Sequence, residues 1–372
     1  MPEIMHRQFL VALLLLAIVA GGAPAADKRK KKKNKDEELP TQTLPALQEP
    51  PLAIAAETGR LVFHTSPLSA KGLLSQQVRD ALKALIRDNH GATIVKLRAF
   101  VAGTGDVRRV QTIVSEIFTD RRATVPALST VQAGGLPLEG AQVVLESVAV
   151  DKRTVNPNGL AFISGQSASS VDGAIGKVLK TIRSLDIGAG RVVKATCLFS
   201  SLDNHVEARA QLQAAFPSAA LNLVQMQRLP VKPPVECEAV AALEKPATAP
   251  VRFVKPAEDG AFEDSSQVAL IATPRIVISG LQLGFGTQDA DVRLAFERLR
   301  KSIESQHANL KDVAVTQIYP MSEEIADRVR KLQFELWDRS RPPATTVLPM
   351  EGLPSLDASF GIEVIAAAHD RS

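Results

Sequence analysis

The sequence predicts an α+β protein made of three successive units of one design. Three observations carry that prediction. Downstream of residue 53, the order strand, helix, strand, helix, strand, Leu-Pro turn, strand occurs three times over the 372-residue chain, the mark of an internal repeat. In each pass the apolar residues switch between helical and period-two spacing at the same places. Pro126, Ala219 and Pro343, each followed by alanine, lie ten positions before Leu136, Leu229 and Leu353, the leucines of the three turns.

In the first unit Leu61-Val62-Phe63 reads as a short strand. Val78, Leu82, Leu85 and Ile86 then recur on one helical face, and Gly91 is placed to end that helix. Residues 94–101 alternate, which predicts a strand with Val95, Leu97, Ala99 and Val101 on one side. Asp106 can cap a second helix whose buried face is Val107, Val110, Ile113, Val114, Ile117 and Phe118. Residues 126–131, the Leu136-Pro137 turn and a closing strand at 143–149 complete the unit.

The second unit repeats this with a strand at 160–165, helix residues Val178, Ile182 and Leu185, a strand at 192–199 and a helix capped after Asp203. It ends on residues 219–225, Leu229-Pro230 and a strand at 235–241. The third has a strand at 276–280, a helix carrying Leu294, Leu299 and Ile303, and a strand at 313–319. A helix with Ile325, Val329, Leu332 and Leu336 follows, then residues 343–347, Leu353-Pro354 and a strand at 362–366. The expected division is therefore 55–152, 153–245 and 267–370, with an Ala- and Pro-rich linker at 246–266.

The N-terminus has its own pattern. A polar start ending in His6-Arg7, an apolar run from Phe9 to Ala20 and the small residues 21–25 predict a signal peptide at 1–25, and hence export to the periplasm or cell envelope. The apolar run is short for a membrane span, where about 20 residues are needed, yet an uncleaved anchor is the alternative. The basic tract from Lys28 to Lys35 follows directly, and charge there resists translocation. Residues 26–54, basic and then Pro-rich, read as a disordered linker whose cations can touch anionic surfaces.

Of 44 Lys/Arg and 40 Asp/Glu, eight and two fall within residues 1–35. That leaves 36 and 38, so the folded part is nearly neutral and offers no basic face for nucleic acid. Trp337 and Tyr319 are the single Trp and Tyr available for base stacking. The six histidines are scattered and the two cysteines show no metal-binding spacing, so neither a metal nor a cofactor is expected. His64, in an apolar strand, reads as a structural histidine.

The run Phe162-Ile163-Ser164-Gly165-Gln166, the Val-rich strand, the capped helix, Pro-Ala-x-Ser-Thr-Val-Gln, Leu-Pro and x-Glu-x-Val-Ala together resemble the RidA/YjgF family, and all three units match in order and spacing. The resemblance implies a chorismate-mutase-like α+β fold, with two helices on one mixed sheet per unit. Because the family forms homotrimers with ligand pockets between subunits, it further implies an intramolecular pseudo-trimer with clefts between units. Linking the units replaces association by a high effective concentration. The alternative is three independent beads. The same fold makes Cys197 and Cys237 neighbours, leaving open either a disulfide or two buried thiols.

Family members hydrolyse enamine and imine intermediates to a 2-oxo acid and ammonia, with an arginine after Pro-Ala gripping the substrate carboxylate. Leu128, Leu221 and Thr345 occupy that position here, and none of them can pair with a carboxylate. Glu146, Glu238 and Glu363 match the family glutamate that positions the attacking water, or are satisfied sheet residues. Ser164-Gly165 and Ser279-Gly280 match the Ser-Gly beside the pocket, where the first unit has Thr65-Ser66. The expectation is thus an exported protein binding a small ligand or a partner at clefts between units without imine deamination. The alternative is a hydrolase using one of the three glutamates, with Arg122 or Arg341 replacing the missing guanidinium; a ribonuclease fits poorly with the neutral body.

Overall fold

The computed structural model describes residues 46–103, 105–227, 235–255 and 266–369. The expected signal peptide, the basic tract, the Leu229-Pro230 turn and residues 256–265 of the expected linker lie outside them. The fold is α+β, with six helices against three mixed sheets among the described residues. No helix of the described residues is long and apolar enough to cross a membrane.

The chain begins with β1 (Ala53–Glu57) and β2 (Leu61–Thr65), followed by α1 (Leu74–Asp88), β3 (Thr93–Ala102), α2 (Arg108–Asp120), β4 (Ala127–Ala133) and β5 (Val143–Val150). The first sheet has the order β2-β5-β3-β4, with β3 and β4 parallel and the other pairs antiparallel. Helix α1 buries Val78, Ala81, Leu82 and Leu85 and stops where His90 and Gly91 turn left-handed, at φ 48° and 84°. Gly91 takes that conformation without the steric cost that the His90 side chain adds. Asp106 accepts from the Arg108 amide at 3.0 Å, capping α2 with Val107 between the two.

Next come β6 (Leu160–Ala168), α3 (Val171–Ser184), β7 (Val192–Phe199), α4 (His205–Ala215), β8 (Ala220–Gln225) and β9 (Val235–Ala242), then β10 (Val251–Val254) and β11 (Val268–Ile271). These form a second sheet, β10-β11-β6-β9-β7-β8. Residues 251–254, expected as linker, are thus an edge strand: Val251, Phe253 and Val254 favour extended backbone, and Arg252 faces water. Ser170 caps α3, but Asp203 binds Ser201 and α4 starts behind Asn204.

The last elements are β12 (Arg275–Ser279), β13 (Gln282–Phe285), α5 (Asp289–Glu304), β14 (Val313–Pro320), α6 (Glu323–Leu336), β15 (Ala344–Val347) and β16 (Ala358–Ala367). The third sheet runs β1-β12-β16-β14-β15, with β13 paired to β16. Strand β1 therefore joins a sheet whose other strands lie more than 200 residues away in sequence. In α5 the buried residues include Val292, Phe296, Leu299 and Ile303, and Leu294 is half exposed. Trp337 packs edge-on to Phe296 at 5.2 Å and ties α6 to α5.

Each sheet buries one face under its two helices, giving three separate cores. The opposite faces meet one another. Phe63, Phe162 and Ile278, one from each sheet, share a cluster, as do Phe100, Leu198 and Tyr319. Backbone bridges close the ring of contacts: Gln132 with Gly352 and Glu351, Gly134 and Gly135 with Gln225, and Gln227 with Pro349. The described residues accordingly cluster as one unit.

One expectation about β3 is corrected. Its pairing with β5 shifts register between Ile94 and Lys96, the signature of a bulge. Ile94, Leu97, Ala99 and Val101 face the helices, whereas Val95 joins the central cluster and does not share their side. The extra residue exchanges the faces, so strict alternation fails across it.

Candidate functional site

The central faces carry charge. Beyond the bulge, β3 alternates so that Lys96, Arg98 and Phe100 point away from the helices, and Arg98 lies opposite Glu146 of β5. The same register puts Thr196 opposite Glu238 in the second sheet and Gln317 opposite Glu363 in the third. All three glutamates are buried, and so are Lys96 and Arg98. Uncompensated ions could not stay there, because each would bear a desolvation cost of several kcal/mol.

They are compensated across the sheets. Arg98 donates through Nε to Glu146 Oε2 at 2.8 Å and through Nη2 to Glu238, while its Nη1 lies 3.5 Å from the Tyr319 hydroxyl. Tyr319 donates to Glu363 Oε1 at 2.6 Å. Lys96 Nζ donates to Glu363 Oε2 at 2.5 Å, to Ser129 Oγ at 2.6 Å and to the Ser279 carbonyl at 2.6 Å. Lys194 pairs with Glu146 at 2.9 Å and Glu238 at 3.5 Å. Thr196 and Asn222 complete Glu146, Gln317 completes Glu238, and Ser129 completes Glu363.

Electrostatics follow from this arrangement. Burial pushes the Glu146 carboxyl up, but the Arg98 and Lys194 charges more than reverse it and hold it well below the usual carboxylate range. For Glu363 the same opposition, with Lys96 and Arg98 as the cations, brings it to about 2. Burial would lower Arg98, yet Glu146 and Glu238 hold it firmly charged. Burial lowers Lys96, and burial followed by Glu363 raises Tyr319. A general base near neutrality needs a pKa close to 7. Glu146 and Glu363 are moved the other way, which holds both ionised as hydrogen-bond acceptors.

Between the charged groups and the apolar ends of the sheets lies a cavity of about 90 Å³. Lys96, Arg98, Lys194 and the three glutamates line one part; Phe63, Phe162, Val240, Ile278 and Val315 line the other.

The remaining expected residues have structural contacts, within their own sheets or between them. Ser164 and Ser279 line the cavity. Ser164 Oγ donates to the Gln267 carbonyl at 3.0 Å, and Ser279 Oγ accepts from the Val364 amide. The Gly165 amide donates to Thr346 Oγ1 at 2.9 Å, and a Cβ at Gly280 would stand 3.1 Å from the Leu128 carbonyl oxygen. Leu128 and Leu221 pack into the helix-side cores of their own sheets, and Thr345 donates to the Pro343 carbonyl. None of those three lines the cavity. Arg122 and Arg341 are exposed and do not line it; Arg341 lies over the Phe253 ring at 5.4 Å. His64 Nδ1 is hydrogen-bonded with Asn89 at 3.0 Å, the structural role expected of it.

Sequence reasoning missed Lys96, Arg98 and Lys194. The signal was present: a Lys and an Arg two apart inside an otherwise apolar strand need buried carboxylates opposite them. Cys197 and Cys237, left open between a disulfide and free thiols, face each other across β7 and β9 and are joined as a disulfide.

No protein-family model matches the chain, and no curated protein matches it. Solved structures of the YjgF and Rid family are similar to part of it. A YjgF-family protein from Neisseria meningitidis is 11% identical, covers 32% of this chain and 97% of its own, and has a TM-score of 0.25. A YjgF/YER057c/UK114-family protein from Mycobacterium tuberculosis is 22% identical over 32% of this chain and 99% of its own, with a TM-score of 0.24. A chorismatase structure is 13% identical over 82% of this chain and 98% of its own, also with a TM-score of 0.24.

Proposed function

We propose that this chain is an exported protein of three tandem RidA-like units closed into an intramolecular pseudo-trimer. In this reading it binds a small ligand where the units meet and does not deaminate imines. The observation that carries the reading is the state of the three glutamates. Each is held by cations or hydroxyls from other sheets as well as its own, so it serves to join units instead of activating water. The arginine position of the family is filled by Leu128, Leu221 and Thr345, whose side chains lie outside the cavity. The cavity between the sheets is the space a ligand would use. Export is supported by the N-terminal pattern and by the Cys197–Cys237 disulfide, which suits an oxidising compartment.

The test is ammonia release from freshly generated 2-aminoacrylate. Wild-type protein is expected to leave the rate at its spontaneous value, as are Glu146→Ala, Glu238→Ala and Glu363→Ala. Turnover by the wild type that one of these substitutions abolishes would overturn the reading.

A further inference from the structure

We infer that the central cavity takes a small molecule of no net charge, with an amide-like head and a short apolar body. This rests on the ligand-binding reading above and names the ligand class. Three cations, Lys96, Arg98 and Lys194, already face three carboxylates, Glu146, Glu238 and Glu363. The site closes at zero charge, and a charged guest would leave one ion unpaired out of water.

Polar capacity remains at two points. Lys96 makes three hydrogen bonds, one for each N–H, whereas Lys194 makes one short contact at 2.9 Å and a looser one at 3.5 Å. Its side chain is 15% exposed, more than those of Lys96, Arg98 or the three glutamates. Gln317 donates through Nε2 to Glu238, which directs its carbonyl oxygen elsewhere. A head that accepts from Lys194 and donates to the Gln317 carbonyl matches both, and a primary amide does so with one group.

The room for the body comes from Val315. In register, Lys96 lies opposite Val148, Lys194 opposite Val240 and Val315 opposite Ile365, so the third sheet carries a short apolar residue where the other two carry lysine. The apolar wall then continues through Phe63, Phe162, Val240 and Ile278. At about 90 Å³ the cavity is smaller than the roughly 150 Å³ engineered cavity that holds benzene, which limits the guest to a handful of non-hydrogen atoms.

Propionamide, propionate and propylammonium are near-isosteric probes of the three charge states. Ligand-observed NMR titration of the full-length protein is expected to show propionamide binding at least tenfold more tightly than either ion. Val315→Ile should weaken it severalfold and Val315→Trp should abolish it, with circular dichroism confirming that each variant is folded; Val315→Ile alone suffices if the tryptophan variant does not fold. Equal or tighter binding of an ion, lost in Val315→Ile, would overturn the charge assignment and leave the ligand-binding reading intact. Propionamide binding unchanged by Val315→Ile would place the site elsewhere. Absence of binding by all three probes would overturn both.

Discussion

Arg98 shows what a single residue does in this fold. Its guanidinium joins Glu146 of its own sheet to Glu238 of the second and reaches Tyr319 of the third. Removing one partner of a buried ion pair costs about 3–5 kcal/mol, because the other charge is left without water or a counterion. Arg98→Met is expected to lower unfolding stability by that amount in urea titration at pH 7; a loss under 1 kcal/mol would mean the network is solvated. Glu236 is the opposite case. Its carboxyl is buried against Gly165, where a Cβ would collide with Glu236 Oε1, and Ser167 Oγ donates to it at 3.1 Å. Burial raises it to about 7, with Glu238 adding to the rise and Ser167 and Arg330 opposing it. An acid raised above its ordinary 4.5 destabilises the fold when ionised: the cost is absent below pH 4.5, grows up to about 7 and is full above that. Glu236→Gln should therefore gain up to about 3 kcal/mol at pH 8 and nothing at pH 4. An equal gain at both pH values would show that ionisation is not the cause.

At the scale of elements, the disulfide is the most direct claim. It joins β7 to β9 across 40 residues of sequence, within a core where both cysteines are buried. Closing a loop of that length restricts the unfolded chain by about 4 kcal/mol in the chain-entropy model. Cys197→Ala/Cys237→Ala is expected to lose most of that in urea titration, and thiol reagents should label the wild type only after it is both unfolded and reduced. Labelling of the denatured, unreduced protein would show that the bond is absent. The helices were legible because their buried stripes have a period that nothing else produces, as Val78, Leu82 and Leu85 show. The edge strand at Val251–Val254 was not, since four residues among prolines and alanines carry too little pattern. Nor could the bulge at Val95 be read, because a bulge looks like ordinary alternation until the partner strand is known. The same limit hid the roles of Lys96 and Arg98: their partners Glu363 and Glu238 lie 267 and 140 residues away in sequence.

For the molecule as a whole, the consequence is that the three sheets cannot lose their centre independently. Lys96 of the first sheet holds Glu363 of the third, and Thr196 of the second holds Glu146 of the first. Strand β1 pairs with β12, and backbone bridges join all three sheets at the opposite seam. Glu146 and Glu363 have folded-state values below their ordinary 4.5, so the stability they contribute is present above pH 4.5 and lost as the pH falls towards 2. Two carboxyls taking up protons together on unfolding give a slope of about 3 kcal/mol per pH unit near pH 3. Because the two lie on different sheets, that loss should appear as one cooperative unfolding transition whose midpoint falls with pH, read identically by tryptophan fluorescence at Trp337 and by far-UV circular dichroism. Independent units would instead give a Trp337 transition for the third sheet that separates from the global one as the pH is lowered. Lys96→Met provides the sharper version. The substitution lies in the first sheet and Trp337 follows α6 against the third, so a shift of both probes by the same amount is expected if the centre is shared. A shift in circular dichroism without one at Trp337 would make the three sheets separate folding units.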